Sequence, residues 1–332
     1  MGEGMESTRK RLITLLAKKK DEYISGQKLS DELNISRAAI WKQMKSLENE
    51  GYQIEAVSRK GYRIVRFPER MSVNTIQWNL KTDWLGQNMH FEEQVDSTQT
   101  VAHQLAREGA EHGTVIVADE QLKGRGRLHR PWHSQKGSGI WMSIILRPDI
   151  EPHRAPQLTL ASAVAITKML KFLTGVQPKI KWPNDIFVGD RKLAGILTEM
   201  QAEQDLIEYV IIGIGLNVNL DQKAVPDDLQ DVATSIQLET GKAWKREELI
   251  QELLYQMESI YELFLQQGFS SIKQAWEQDA YRLGETITVK ARRKEWEATL
   301  IGIHEDGALI VEDENQSKSV LYSAEIDWKK GE

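Results

Sequence analysis

Near the N-terminal end, apolar positions recur at helical spacing. Leu12, Ile13, Leu15 and Leu16 stand among basic residues over 9–20, with Leu12 and Leu16 four apart, which predicts an amphipathic helix. Ser25 can cap a second, short helix carrying Leu29 and Leu33. Asn34-Ile35-Ser36 then makes a tight turn into a third helix that runs to about Glu50, with Ile40, Met44 and Leu47 on one face. Beyond Gly51 the period changes to two: residues 54–57 and 62–65 alternate around Ser58-Arg59-Lys60-Gly61, predicting a hairpin with a basic tip.

Phe67-Pro68 ends that pattern, and a polar stretch to about Asn74 leads into a new domain. There the pattern predicts a strand over 89–95 and a helix after Asp96-Ser97-Thr98-Gln99, with Val101, Leu105 and Ala106 inside. It also predicts strands over 114–118 and 140–146 and a helix over 155–173. Pro183 bars its own position from a central strand, so Trp182-Pro183-Asn184-Asp185 reads as a turn at a strand end, with side chains free to enter a cleft. Gly189-Asp190 reads as a hairpin tip, and the return strand over 191–199 brings Lys192 back beside Asp185. A last strand over 209–215 ends in Leu216-Asn217-Val218-Asn219. Four short strands are expected over 286–290, 296–301, 308–311 and 319–322.

Composition narrows the function classes. The 332 residues suffice for two or three domains. No stretch reaches the apolar length of a membrane span, and the N-terminus lacks the apolar core of a secretion signal, so a cytoplasmic protein is expected. Cysteine is absent, which excludes disulfides, thiolate metal sites and a cysteine nucleophile. Charge is divided: residues 1–66 hold 14 Lys/Arg against 9 Asp/Glu, and residues 67–332 hold 29 against 40. Opposite signs point to two different partners.

Three helices and a basic hairpin form the pattern of a winged helix-turn-helix. Its third helix would place Ser36, Arg37, Trp41, Lys42 and Lys45 against DNA, while the wing brings Arg59 and Lys60 to the backbone. The other possibility is a helical interaction module with a solvated basic face.

Between Gln121 and Arg147 six Lys/Arg occur without a single Asp or Glu, around Gly124-Arg125-Gly126-Arg127. The two glycines are expected to take positive φ and approach a ligand, and the two guanidinium groups match carboxylate or phosphate oxygens. A solvated basic loop is the alternative. The segment joins two strands and fits neither a P-loop nor a dinucleotide fingerprint, since His129 stands where the third glycine of the latter belongs.

In combination these strings resemble the bifunctional biotin–protein ligase and biotin-operon repressor family over essentially the whole chain. The resemblance rests on SRAAIWK from Ser36, KGY from Lys60, DSTQ from Asp96, GRGR with Gln121, KWPNDI from Lys181, RKLAGIL from Arg191 and GIGLNVN from Gly213. It implies an α+β multidomain chain. Residues 1–66 would be a winged helix-turn-helix, 67–283 a class II synthetase-like mixed or antiparallel sheet with helices that binds biotin and ATP, and 284–332 an SH3-like barrel. The implied reaction makes biotinyl-5′-AMP from biotin and MgATP and then biotinylates a lysine of a carboxylase carrier domain. The adenylate would act as corepressor for a homodimer on operator DNA.

By the same resemblance Ser97, Thr98, Gln99 and Gln121 meet the biotin ring. Gly124, Arg125, Gly126 and Arg127 order over the carboxylate and phosphate, Lys192 contacts the reacting oxygens, and Trp132 and Asn217 lie on the adenylate side. Asp185 would assist the incoming amine or the metal. Many members carry glycine where this chain has His129. The alternatives are a lipoate ligase on the same scaffold and a repressor that only senses ligand.

Overall fold

The structure is a computed structural model that describes residues 8–19, 22–68, 70–221, 230–291, 294–322 and 324–328. The chain divides into two compact units, Met1–Lys81 and Thr82–Glu332.

In the first unit, α1 (Thr8–Lys18), α2 (Gly26–Leu33) and α3 (Arg37–Asn49) precede the hairpin β1 (Gln53–Val57) and β2 (Gly61–Arg66). Local chemistry sets the helix starts: Ser25 Oγ accepts from Lys28 N–H, and Ser36 Oγ accepts from Ala39 N–H. Asn34, in the left-handed region, ends α2 and turns the chain into α3. Leu12, Leu16, Leu29, Ile40, Met44, Leu47 and Ile64 close one core from all three helices and the wing. Phe67, past the break after β2, packs edge-on between Tyr52 and Trp78.

The second unit is built on a seven-stranded mixed sheet. With β3 (Met89–Glu92), β4 (Thr114–Ala118), β5 (Gly139–Leu146), β6 (Lys179–Lys181), β7 (Asp185–Val188), β8 (Arg191–Glu203) and β9 (Leu206–Asn217), the order is β3-β4-β5-β9-β8-β7-β6. The pair β3/β4 is parallel and the other ladders are antiparallel. The first strand is shorter than its apolar pattern, because Val95 leaves β3 and bridges to Gln121 instead.

Side chains alternate across the sheet, and helices take opposite faces. Helix α5 (Thr98–Arg107) packs Ala102 and Ala106 on Ile116, Ile145 and Ile211. Helix α6 (Ala155–Thr174) meets the other face, where Thr159 hydrogen bonds Thr198 at 2.7 Å. Behind α6 lie α8 (Arg246–Gln267) and α9 (Ser270–Gln278). Between α5 and α8 in the chain are the five-residue helix α7 (Ile236–Thr240) and the segment 230–235; α4 (Val73–Gln77) belongs to the first unit.

The C-terminal residues form a five-stranded antiparallel sheet of β10 (Thr286–Ala291), β11 (Lys294–Ile303), β12 (Leu309–Glu312), β13 (Lys318–Leu321) and β14 (Glu325–Asp327). Its order is β13-β12-β11-β10-β14. Among the described residues no ladder joins β13 to β14. The sheet is seated on the central domain by Trp182 Nε1, which donates to Gly307 O at 3.1 Å, and by Gln157 Nε2, which donates to Glu305 O at 3.1 Å. No described helix is long and apolar enough to cross a membrane.

Candidate active site

A cleft of about 540 Å³ opens on the α5 side of the sheet, over β5, β8 and β9. Its floor is backbone. Gly195 of β8 lies opposite Gly215 of β9, and Gly213 lies two residues back on the same face. A Cβ at Gly215 would come within 2.5 Å of the Trp132 indole nitrogen, and one at Gly213 within 2.5 Å of Gln99 Oε1. The alternation Gly-Ile-Gly thus keeps a stripe of two central strands free of side chains.

One end of the cleft is polar and uncharged. Ser97 stands at the start of α5 without making a side-chain capping bond, and Ser97, Thr98 and Gln99 are buried. Gln121 Oε1 accepts from Thr98 N–H at 2.8 Å and from its hydroxyl at 3.1 Å, and Gln121 Nε2 donates to Ser134 Oγ at 2.8 Å. The Thr98 and Ser143 hydroxyls are 2.9 Å apart, and Ser143 donates to Gln99 Oε1 at 3.0 Å. The wall Ser134-Gln121-Thr98-Ser143-Gln99 is therefore fixed by its own hydrogen bonds and needs no charge.

The other end is cationic. Arg125, Arg127, Arg130, Lys181 and Lys192 line it, with Asp185 as the acid among the described lining residues. The two-residue tip Gly189-Asp190 brings β8 back along β7, so that Lys192 Nζ lies 2.8 Å from Asp185 Oδ1. The charges touch outside hydrogen-bond geometry, and Oδ1 is buried without a hydrogen bond among the described residues. Lys192 also sits 5.2 Å from the centre of the Trp132 ring. Lys181 Nζ stands over Phe187, Tyr281 and, at 5.5 Å, Trp328 of the C-terminal segment. No group of three or more His, Asp or Glu among the described residues converges as a metal site.

The GRGR segment forms a small hairpin in the connection between β4 and β5. Trp132 N–H donates to Gly124 O, Gly126 N–H to Arg130 O, and Arg130 N–H to Arg127 O. Contrary to the sequence expectation, neither Gly124 nor Gly126 has positive φ. The left-handed residues are Leu128, at φ 54, and His129, at φ 57, the two central positions of the tip. Gly124 is nonetheless needed for close approach, since a Cβ there would meet Trp132 O at 2.5 Å. At Gly126 the nearest atom would be Arg130 O at 3.8 Å. The roots of the loop are tied by Asp119, which accepts from Arg246 Nη1 at 2.7 Å and from Gly137 N–H at 3.2 Å.

The arginines are placed differently. Both terminal nitrogens of Arg125 donate to Glu199, whereas Arg127 is exposed and makes one 3.2 Å bond to Asn184 Oδ1. Asn217 is buried and donates to Thr234 O at 2.9 Å, holding 232–234 beside Lys192. Trp132 lies across Gly195 and Gly215 with its N–H buried and unpaired among the described residues. The candidates Ser97, Thr98, Gln99, Gln121, Arg125, Gly126, Arg127, Trp132, Asp185, Lys192 and Asn217 therefore line one cleft, with Gly124 just behind it. Ser143, the glycine floor, Val232 and Trp328 also line the cleft but are not among the residues expected from the sequence. Of these only the floor left a signal, glycines two apart in a strand.

In the N-terminal unit Arg37, Trp41, Lys42 and Lys45 are exposed along α3, and Ser36 is its cap. Lys45 pairs with Glu48 at 2.6 Å. Arg59 and Lys60 are exposed at the wing tip, where Arg59 takes a φ of 65.

Comparison with known proteins places these features together. Residues 91–217 match the Biotin/lipoate A/B protein ligase family, residues 8–63 an HTH domain, and residues 283–328 the Biotin protein ligase C terminal domain. The chain is 45% identical over 324 residues to proteins named Bifunctional ligase/repressor BirA in Bacillus spizizenii and Bacillus subtilis, covering 97% of this chain and 99% of each relative. A solved biotin protein ligase from Aquifex aeolicus, in complex with biotin and ATP, is 30% identical. It superposes with a TM-score of 0.64 over 74% of this chain and all of that one.

Proposed function

The chain belongs to the bifunctional ligase/repressor family of biotin–protein ligases, and on that premise we propose how its cleft and its helix-turn-helix divide the work. A biotin carboxylate oxygen attacks the α-phosphorus of ATP. The bond to the β-phosphate breaks, pyrophosphate leaves, and biotinyl-5′-AMP remains. A carrier-domain lysine amine then attacks the acyl carbon, loses a proton, and expels AMP.

The observation that carries this reading is the polarity gradient of the cleft. Biotin has a neutral ureido ring at one end and a carboxylate at the other. The wall Ser134-Gln121-Thr98-Ser143-Gln99 suits the ring, and Ser97 has a hydroxyl left for it. The cationic end suits a carboxylate meeting a triphosphate. Lipoate fits less well: a dithiolane ring has no ureido donors or acceptors to meet the polar wall, and it would leave the Ser97 hydroxyl, which makes no capping bond, without a partner.

Charge moves onto phosphoryl oxygen in the first step, so catalysis is positioning and electrostatic stabilisation, with no protein nucleophile. Lys192 supplies the point charge at the reacting oxygens, and Arg127, with a single hydrogen bond, is available to phosphate. Trp132 and Asn217 serve the adenylate side. A magnesium ion arriving with ATP would be carried mainly by the phosphates, with Asp185, already paired with Lys192, as the acid near it among the described lining residues. When bound, the ion neutralises phosphate charge.

The N-terminal unit supports operator binding by α3 and the wing, and we read the adenylate-loaded homodimer as the repressing form. The division into 1–66, 67–283 and 284–332 and an SH3-like C-terminal fold belong to the same proposal. The test is to incubate the protein with biotin, ATP and a carboxylase carrier domain and follow the carrier by mass spectrometry. One biotinyl group on one lysine is expected, and an unmodified carrier would overturn the reading.

A further inference from the structure

One half-buried ion pair at the edge of the cleft includes an acid, Glu199, that has no part in the chemistry above. Glu199, on the cleft-facing side of β8, receives Arg125 as a fork, Nη1 to Oε1 at 2.6 Å and Nη2 to Oε2 at 2.9 Å. His103 Nε2, from α5, lies 3.0 Å from the same Oε2, and its Nδ1 lies 3.3 Å from the Tyr209 hydroxyl. Burial pulls the Glu199 carboxyl upward, but hydrogen bonds from Arg125, His103 and Gln99 outweigh it and hold the group below the usual carboxylate range. Glu199 is therefore ionised, and it is itself not among the cleft-lining residues.

Arg125 cannot turn its fork to a ligand anion without giving up two charge-assisted bonds. What it holds at the cleft is the hairpin it belongs to. Arg125 bridges to Pro131 across the two arms, and its neighbour Gly126 donates to Arg130 O at 2.8 Å. The tip between the arms carries left-handed Leu128 and His129, which disfavour the closed form. An anchor on the first arm opposes that strain.

We propose that Glu199 is a positioning residue for biotin: by gripping Arg125 it keeps the 124–132 hairpin over the cleft, and it touches no substrate itself. This rests on the reading that the hairpin covers biotin. The removal of Glu199 then weakens biotin capture and leaves the phosphoryl step intact.

The experiment is biotin-dependent ATP–pyrophosphate exchange with Glu199→Gln, Arg125→Gln and the double variant of the full chain. Glu199→Gln is expected to raise KM for biotin about tenfold, with kcat and KM for ATP within about twofold. Arg125→Gln raises KM for biotin similarly, and the double variant is no worse than Arg125→Gln alone, because the two residues act as one unit. An unchanged KM in Glu199→Gln, or a double variant in which the two effects multiply, overturns the proposal. An unchanged KM for biotin in Arg125→Gln removes the hairpin from the biotin site, and the latch with it. Should Glu199→Gln not fold, Glu199→Asp keeps the charge but shortens the reach. It is expected to raise KM for biotin several-fold, and an unchanged value overturns the proposal equally.

Discussion

Lys192 and Asp185 face each other across the hairpin of β7 and β8, ammonium to carboxylate at 2.8 Å, and the cleft opens directly onto the pair. In the proposed reaction this ammonium serves the meeting of carboxylate and α-phosphate, and the Trp132 ring centre lies 5.2 Å from it. Lys192→Ala should lower kcat/KM for biotin-dependent pyrophosphate exchange by on the order of 10²–10³, the usual cost of losing one preorganised charge contact. Lys192→Arg should not restore it, since a planar fork does not reproduce a point charge. Steady-state exchange kinetics on the two variants check both statements.

The tip of the GRGR hairpin has two non-glycine residues in the left-handed region, Leu128 and His129, as a type I′ turn requires. Each carries strain of about 1–2 kcal/mol relative to a right-handed conformation. Exchanging the pair for Asn-Gly, as Leu128→Asn with His129→Gly, should stabilise the closed hairpin. Hydrogen exchange of the Gly126 and Arg130 amides, measured by mass spectrometry, should slow several-fold. Faster exchange would contradict the turn assignment.

His112 predicts a pH dependence of stability. Its ring packs against Trp84 and Tyr261, and its Nδ1 accepts Arg147 N–H at 2.9 Å, which requires that nitrogen to be unprotonated. Burial, helped by the charge of Arg147, lowers its pKa below the ordinary 6.5. As pH falls through that ordinary value the unfolded chain takes up the proton first, so stability declines until the folded value is reached. The Tm should therefore fall between about pH 7 and 5, and His112→Gln should flatten that slope.

How much of this was readable in advance depended on sequence distance. The caps at Ser25 and Ser36 and the meeting of Lys192 with Asp185 are short-range, set by a hydroxyl three residues before an amide or by a two-residue turn. Glu199 was not readable, because its partners Arg125 and His103 come from a loop and a helix 74 and 96 residues away. The glycines of the GRGR segment were misjudged in kind. Gly124 is small for lack of space, and the positive φ falls on Leu128 and His129, where the hairpin closes. Trp328 reaches the cleft from the C-terminal sheet, a placement that no local pattern carries.

The exposed row Arg37, Trp41, Lys42 and Lys45 of α3, together with Lys60 on the wing, predicts a phosphate-dominated term in operator binding. Lys60→Ala should weaken binding about equally across DNA sequences and reduce the slope of log affinity against log salt by about one. Arg37→Ala, at the helix start, should lose discrimination between operator and unrelated DNA. Titrations at several salt concentrations with both DNAs distinguish the two roles.

In the proposed function the neutral wall of Gln121, Thr98, Ser143 and Gln99 selects a ureido ring and the cationic end activates its carboxylate. The most direct measurement is ATP–pyrophosphate exchange by the purified protein, driven in parallel by biotin and by lipoate. Exchange with biotin and none above background with lipoate is predicted. Exchange driven by lipoate alone, or by neither acid, would contradict the account.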